Sequence, residues 1–163
     1  LFWEMLILRA RHVEAGVMPS RAPGAAASDA TNRAGSQGRR RILVVDDEHE
    51  VRDMLVEYLE GRGFEARGAS DGQEALHLLP DFRPHVILLD IALPGLSGME
   101  TLRRIKALPR EVCVVMISGI ADVDIARQTL AMGAADYVPK PVDFMYLDSV
   151  LEVHTLMGQF DPK

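Results

Sequence analysis

Four short apolar runs in this chain each end on residues that can do chemistry. Asp46 and Asp47 follow Ile42–Val45, Asp90 follows Val86–Leu89, Ser118 follows Val112–Ile117, and Lys140 follows Ala135–Val138 after one proline. Three carboxylates gathered in one place repel one another unless a cation sits among them. Hard oxygen donors suit Mg²⁺, which takes a few carboxylates, a backbone carbonyl and water, with phosphate oxygens completing its shell. A carboxylate beside such an ion can act as the nucleophile in phosphoryl transfer and form an acyl phosphate. A metal ion and a lysine ammonium can then neutralise charge on the transferring oxygens, and the Ser118 hydroxyl could hydrogen-bond one of them. The expected site is therefore a pocket for Mg²⁺ and phosphate.

Each residue taken alone also has a simpler role. Asp46-Asp47 suits a helix N-cap followed by first-turn charge. Asp90 suits the start of a loop, Ser118 a small polar strand end, Lys140 a solvated surface, and Tyr137 a core aromatic. What favours the pocket is the joint pattern of acid, acid, hydroxyl and lysine on successive strand ends.

The elements that must position these residues alternate in period. The run Ile42–Val45 is followed by a helical stretch with Val51, Met54, Leu55, Tyr58 and Leu59 on one face, closed by Gly61 and Gly63. A weaker strand spans Phe64–Ala69, and Asp71-Gly72 opens a short helix carrying Ala75, Leu76 and Leu79. The strand Val86–Leu89 is wholly apolar, and Ser97 or Gly98 begins a helix running to about Leu108. A fourth strand over Val112–Ile117 leads to a helix from Asp122 to Met132; a fifth over Ala135–Val138 leads to a last helix from Val142 to about Leu156. Five such β/α units predict the α/β class, with a doubly wound, five-stranded parallel sheet in the flavodoxin-like order 2-1-3-4-5 and helices on both faces. Ligands of such sheets bind outside the carboxyl ends of the strands, where all the candidate residues lie.

Composition limits the alternatives. The 163 residues, 48% apolar and 26% charged, suit one globular domain. Residues 1–41 hold seven arginines and three acids, net +4, whereas residues 42–163 carry net −10. An acidic body argues against direct nucleic-acid binding by this domain. Residues 1–40 read as an extension, linker-like from 19 onward with Pro, Gly, Ala and Arg; residues 41–158 form the domain and 159–163 a short tail. The apolar start Leu1–Leu8 contains Glu4 and is too short to span a bilayer. It also lacks a signal-peptide pattern. The single cysteine, Cys113, excludes an internal disulfide and lies in an apolar run, so a buried inert thiol is expected.

Together the motifs resemble the response-regulator receiver domains of two-component systems, over about residues 40–158. They are Ile42-Leu43-Val44-Val45-Asp46-Asp47; Val86-Ile87-Leu88-Leu89-Asp90 with Leu93-Pro94-Gly95 and Gly98; Ser118-Gly119; and Gly133-Ala134-Ala135-Asp136-Tyr137-Val138-Pro139-Lys140-Pro141. The resemblance implies that Asp90 is the phosphoacceptor, that Asp47 ligates Mg²⁺ directly and Asp46 through water, and that Ala92 contributes its backbone carbonyl. It further implies that Ser118 is the switch hydroxyl, Tyr137 the aromatic switch residue and Lys140 the partner of a phosphoryl oxygen, with a cis bond to Pro141. Gly119 would leave access to Asp90. The implied protein is a cytoplasmic switch rather than a conventional enzyme. It would receive its phosphoryl group from a histidine kinase or histidine phosphotransfer protein and act on a downstream target protein, with a phosphorylation-dependent dimer among its states.

Two positions depart from the rapidly dephosphorylating members of that family, which carry polar side chains where this chain has Ala92 and Ile120. Neither can orient an attacking water, so slow loss of phosphate is expected. Few residues follow the last predicted helix, so a stand-alone receiver is the first expectation. The alternative is the receiver piece of a longer transcription regulator or hybrid kinase. An aspartyl-phosphate phosphatase is a remote third reading, because Ala92 stands where such enzymes place a second aspartate.

Overall fold

In the computed structural model, residues 38–120 and 122–156 are described. Ten elements alternate along them: β1 Arg41–Val45, α1 His49–Gly61, β2 Glu65–Ala69, α2 Gly72–Phe82, β3 Val86–Asp90, α3 Gly98–Lys106, β4 Cys113–Ser118, α4 Val123–Ala131, β5 Asp136–Pro139 and α5 Phe144–Leu156. The strands form one parallel sheet in the order β2-β1-β3-β4-β5, the order expected from the sequence. Most of the expected extension, residues 1–40, and the whole tail, residues 159–163, lie outside the described residues.

Alternation along each strand divides the core in two. Ile42, Val44, Val86, Leu88, Cys113, Val115, Ile117 and Val138 face a cluster completed by Leu55 and Leu59 of α1 and by Leu147, Val150 and Leu151 of α5. The intervening residues Leu43, Val45, Ile87, Leu89, Val114 and Met116 are equally buried. Their cover comes from α2, α3 and α4, whose buried apolar side chains are Ala75, Leu79, Phe82, Leu102, Ile105 and Ala126. This double burial is why the central strands read as unbroken apolar runs. Cys113 belongs to this core at 1% exposure, and burial pushes its thiol up to about 11, so it is inert as expected.

Side chains mark the helix starts. Asp71 accepts the Glu74 amide, Ser97 accepts the Glu100 amide, and Asp122 accepts the amides of Asp124 and Ile125. Two local expectations shift, the burial of Met54 and the end of α3. Met54 is 43% exposed, because the buried stripe of α1 runs through Leu55 and Leu59 and leaves Met54 beyond its edge. Helix α2 continues through Pro80 to Phe82 and stops where Arg83 turns left-handed at φ 48. Helix α3 ends at Lys106 rather than near Leu108, since Pro109 disfavours helical backbone in the residue before it.

The turn from β3 into α3 brings a helix start against the strand end that carries Asp90. Only glycine fits there: a Cβ on Gly98 would lie 2.0 Å from the Asp90 carbonyl oxygen and 2.6 Å from the Ile91 Cα. Those are backbone atoms and cannot swing aside. Gly98→Ala is expected to lower unfolding free energy by about 2 kcal/mol, the usual scale of overpacking. Gly61→Ala, with open space around the added carbon, should be neutral or gain up to about 1 kcal/mol. Urea unfolding of both variants checks this, and equal midpoints would contradict the close approach.

Candidate functional site

Parallel pairing aligns the carboxyl ends of the strands at one edge. Val45 pairs with Leu89, Asp90 with Ile117, and Ser118 with Pro139. Asp46 and Asp90 therefore leave the sheet on neighbouring strands, and Lys140 leaves it two strands further on. The Lys140 amide donates to the Ser118 carbonyl at 2.8 Å, which fixes where the lysine starts. The Lys140-Pro141 bond is cis, as the resemblance implies.

The Lys140 side chain returns across β4 to the two aspartates. Its ammonium lies 2.8 Å from Asp46 Oδ2, 2.9 Å from Asp90 Oδ2 and 2.9 Å from Glu48 Oε1. The other oxygens of the two aspartates are held by backbone: Asp46 Oδ1 accepts the Glu48 amide at 2.9 Å, and Asp90 Oδ1 accepts the Ala92 amide at 3.0 Å. Both aspartates are buried, at 2% and 3% exposure, so these contacts replace nearly all of their hydration. Burial works against the charged ammonium of Lys140, but hydrogen bonds to Asp46, Asp90 and Glu48 outweigh it and hold its pKa above the ordinary lysine value. Burial also holds the Asp46 carboxyl above its ordinary range, against the lowering effects of Lys140 and the Glu48 amide.

A divalent cation fits these residues. Asp46, Glu48 and Asp90 each offer a carboxylate oxygen, and those oxygens lie within 4.8 Å of one another. The Lys140 ammonium already occupies a cation's place among them. Three carboxylates against one ammonium leave a net charge of −2, and all the donors are hard oxygens of the kind that Mg²⁺ prefers.

The structure brings together Asp46, Asp90 and Lys140 of the expected residues. Asp47 is exposed on the loop and is not part of the acidic cluster. Ala92 is exposed beside Asp90, to which its amide is bonded. Ser118 is 1% exposed at the end of β4, where its hydroxyl accepts the Ile120 amide at 3.0 Å. Tyr137 is 2% exposed and donates its hydroxyl to the Ile120 carbonyl at 2.5 Å, so both residues grip the loop after β4. Burial holds the Tyr137 hydroxyl above its ordinary pKa, partly offset by its bond with Ser118. The residue that sequence reasoning missed is Glu48. Its signal was present as a third consecutive acid after β1, but the strand-end pattern stopped at Asp47.

This geometry agrees with the comparisons to known proteins. The chain belongs to the family of response regulator receiver domains, whose model matches residues 42–152. It is 38% identical to Regulatory protein AtoC of Escherichia coli (strain K12), over 69% of this chain and 24% of that protein. It is 31% identical to Sporulation initiation phosphotransferase F of Bacillus subtilis (strain 168), over 63% of this chain and 83% of that protein. Among solved structures, the receiver domain of NtrX from Brucella abortus matches with a TM-score of 0.68 and 38% identity, covering 72% of this chain and 99% of that one. The match thus spans about a quarter of AtoC but most of the sporulation protein. Phosphorylation on aspartate and Mg²⁺ binding are general properties of this family. Among the described residues no helix is long and apolar enough to cross a membrane.

Lys140 is the single positive charge inside the cluster, so its loss leaves buried carboxylates facing one another. Lys140→Met is expected to cost about 3 kcal/mol in chelator-treated protein, the scale for breaking a buried ion pair. Millimolar Mg²⁺ should restore part of that loss. Urea unfolding with and without Mg²⁺ checks both, and wild-type stability in chelator would contradict the bridging role.

Proposed function

We propose that this chain is the phosphoryl-accepting switch of a two-component pathway, with Asp90 as the acceptor. The observation that carries the reading is the Asp90 carboxylate itself. It is buried, bonded to Lys140 at 2.9 Å and placed in an acidic cluster at the carboxyl ends of the strands.

The donor is a histidine kinase or a histidine phosphotransfer protein. An Asp90 carboxylate oxygen attacks the phosphorus of the donor phosphohistidine, and the P–N bond breaks with its electron pair left on the imidazole nitrogen. The product is an acyl phosphate on Asp90. Asp46, Asp47, Asp90 and the Ala92 backbone carbonyl would hold Mg²⁺, with Glu48 a further oxygen donor at the same point. When bound, Mg²⁺ neutralises charge on the phosphoryl oxygens. Lys140 shifts its ion pair from the Asp90 carboxylate to a phosphoryl oxygen, and Ser118 turns its hydroxyl to another. That turn gives up the Ile120 amide, so the loop held by Ser118 and Tyr137 rearranges. The change biases a two-state surface formed by α4, β5 and α5, which a downstream protein or a second copy reads. The chain is regenerated by loss of phosphate rather than turning over a substrate, which makes it a switch and not a conventional enzyme. Its place is the cytoplasm, where kinases of this kind present their phosphohistidine.

A second reading, that this is the receiver segment of a longer regulator, is favoured by the match to only 24% of AtoC. Both readings share the Asp90 chemistry. Incubation with acetyl phosphate and Mg²⁺ should add one phosphoryl mass to wild type and none to Asp90→Asn, read by intact-protein mass spectrometry. Equal labelling of both would sink the reading. In the same labelled protein, Ala92→Asn and Ile120→Glu should each shorten the phosphate lifetime, and unchanged lifetimes would remove the assignment of slow hydrolysis to those two positions.

A further inference from the structure

The loop that carries the acidic residues is also held from behind. The Asp46 amide donates to the Ala69 carbonyl of β2 at 3.1 Å, and its carboxylate takes the Glu48 amide and the Lys140 ammonium. Its remaining polar group, the backbone carbonyl, accepts Arg52 Nη1 at 2.8 Å. That carbonyl and the Asp47 amide belong to one rigid peptide plane. The guanidinium therefore fixes the direction in which the chain enters Asp47. The Asp47 side chain has no hydrogen bond or ion pair of its own among the described residues, so its aim depends on that plane.

Arg52 reaches the carbonyl by a route that β2 leaves open. Its amide bonds Glu48 at 2.9 Å, which roots it in the first turns of α1, and its stem crosses Gly68. A Cβ at Gly68 would lie 2.9 Å from Arg52 Cδ and 3.0 Å from Cγ, so the stem of Arg52 would have to shift to admit it. The guanidinium also places positive charge behind a cluster of net −2 without occupying any carboxylate oxygen. Metal sites depend on such outer contacts to orient their ligands.

We propose that Arg52 is a positioning residue of the acceptor site, which holds the Asp46-Asp47 peptide so that Asp47 can serve the cation. The proposal rests on the reading of this site as one that binds Mg²⁺. Calorimetric titration of Mg²⁺ into the full chain tests it with wild type, Arg52→Met, Asp47→Asn and the double variant. Arg52→Met and Asp47→Asn should each weaken binding about tenfold. The double variant should be little weaker than either single one, because both remove the same contribution. A purely structural role for Arg52 would give no such coupling. Gly68→Ala keeps the guanidinium but displaces its stem, and should weaken Mg²⁺ severalfold; it decides the matter if Arg52→Met does not fold. Wild-type affinity in Arg52→Met or Gly68→Ala, or a double variant whose loss equals the product of the single losses, overturns the proposal alone. A wild type that binds no Mg²⁺ overturns the site reading and this proposal together.

Discussion

One ammonium group holds the functional end of this domain together. Lys140 Nζ touches Asp46, Asp90 and Glu48 at 2.8–2.9 Å, and two of those carboxylates are almost wholly out of water. Charges so placed are costly unless paired. The domain satisfies them only partly: one positive charge stands among three negative ones, and the remaining −2 suits a divalent cation. The site is thus stable enough to persist and unbalanced enough to bind.

The fold exists to keep that imbalance in place. A parallel sheet sends every strand end to the same edge, and burial on both faces leaves the central strands no freedom to slip in register. Asp46, Asp90 and Lys140 follow from three different strands whose alignment is fixed by Ile42–Val45, Val86–Leu89 and the β4–β5 pairing. Gly98 lets α3 begin against the Asp90 backbone, and Arg52 ties the loop after β1 from its outer side. Ser118, at the same sheet edge as Asp90, and Tyr137 both hold Ile120, so the strand ends around Asp90 are tied by hydrogen bonds to the loop before α4.

Much of this was legible in the sequence, for physical reasons. Fully buried strands read as unbroken apolar runs, so β1, β3 and β4 and the residues that end them were found directly, and parallel pairing then put Asp46, Asp90, Ser118 and Lys140 at one edge. What was not legible depends on side-chain reach. Glu48 joins the cluster because Lys140 is long enough to cross from β5, and strand-end logic cannot see that. Asp47, next to Asp46 in sequence, stays exposed because successive residues after a strand point in different directions. Met54 was misplaced by one helical position, since a periodic stripe does not say where its edge falls. Arg52 could not be read at all, because its partner is a backbone carbonyl and its path depends on Gly68 in another strand.

Where the phosphoryl group goes decides whether Asp90 is the acceptor. Borohydride reduction of the phosphorylated protein converts an acyl-phosphate aspartate to homoserine, and peptide mapping then reports its position. Homoserine at residue 90 alone is the predicted result. Reduction at position 46, 47 or 48, or none at all in labelled protein, would contradict the central claim.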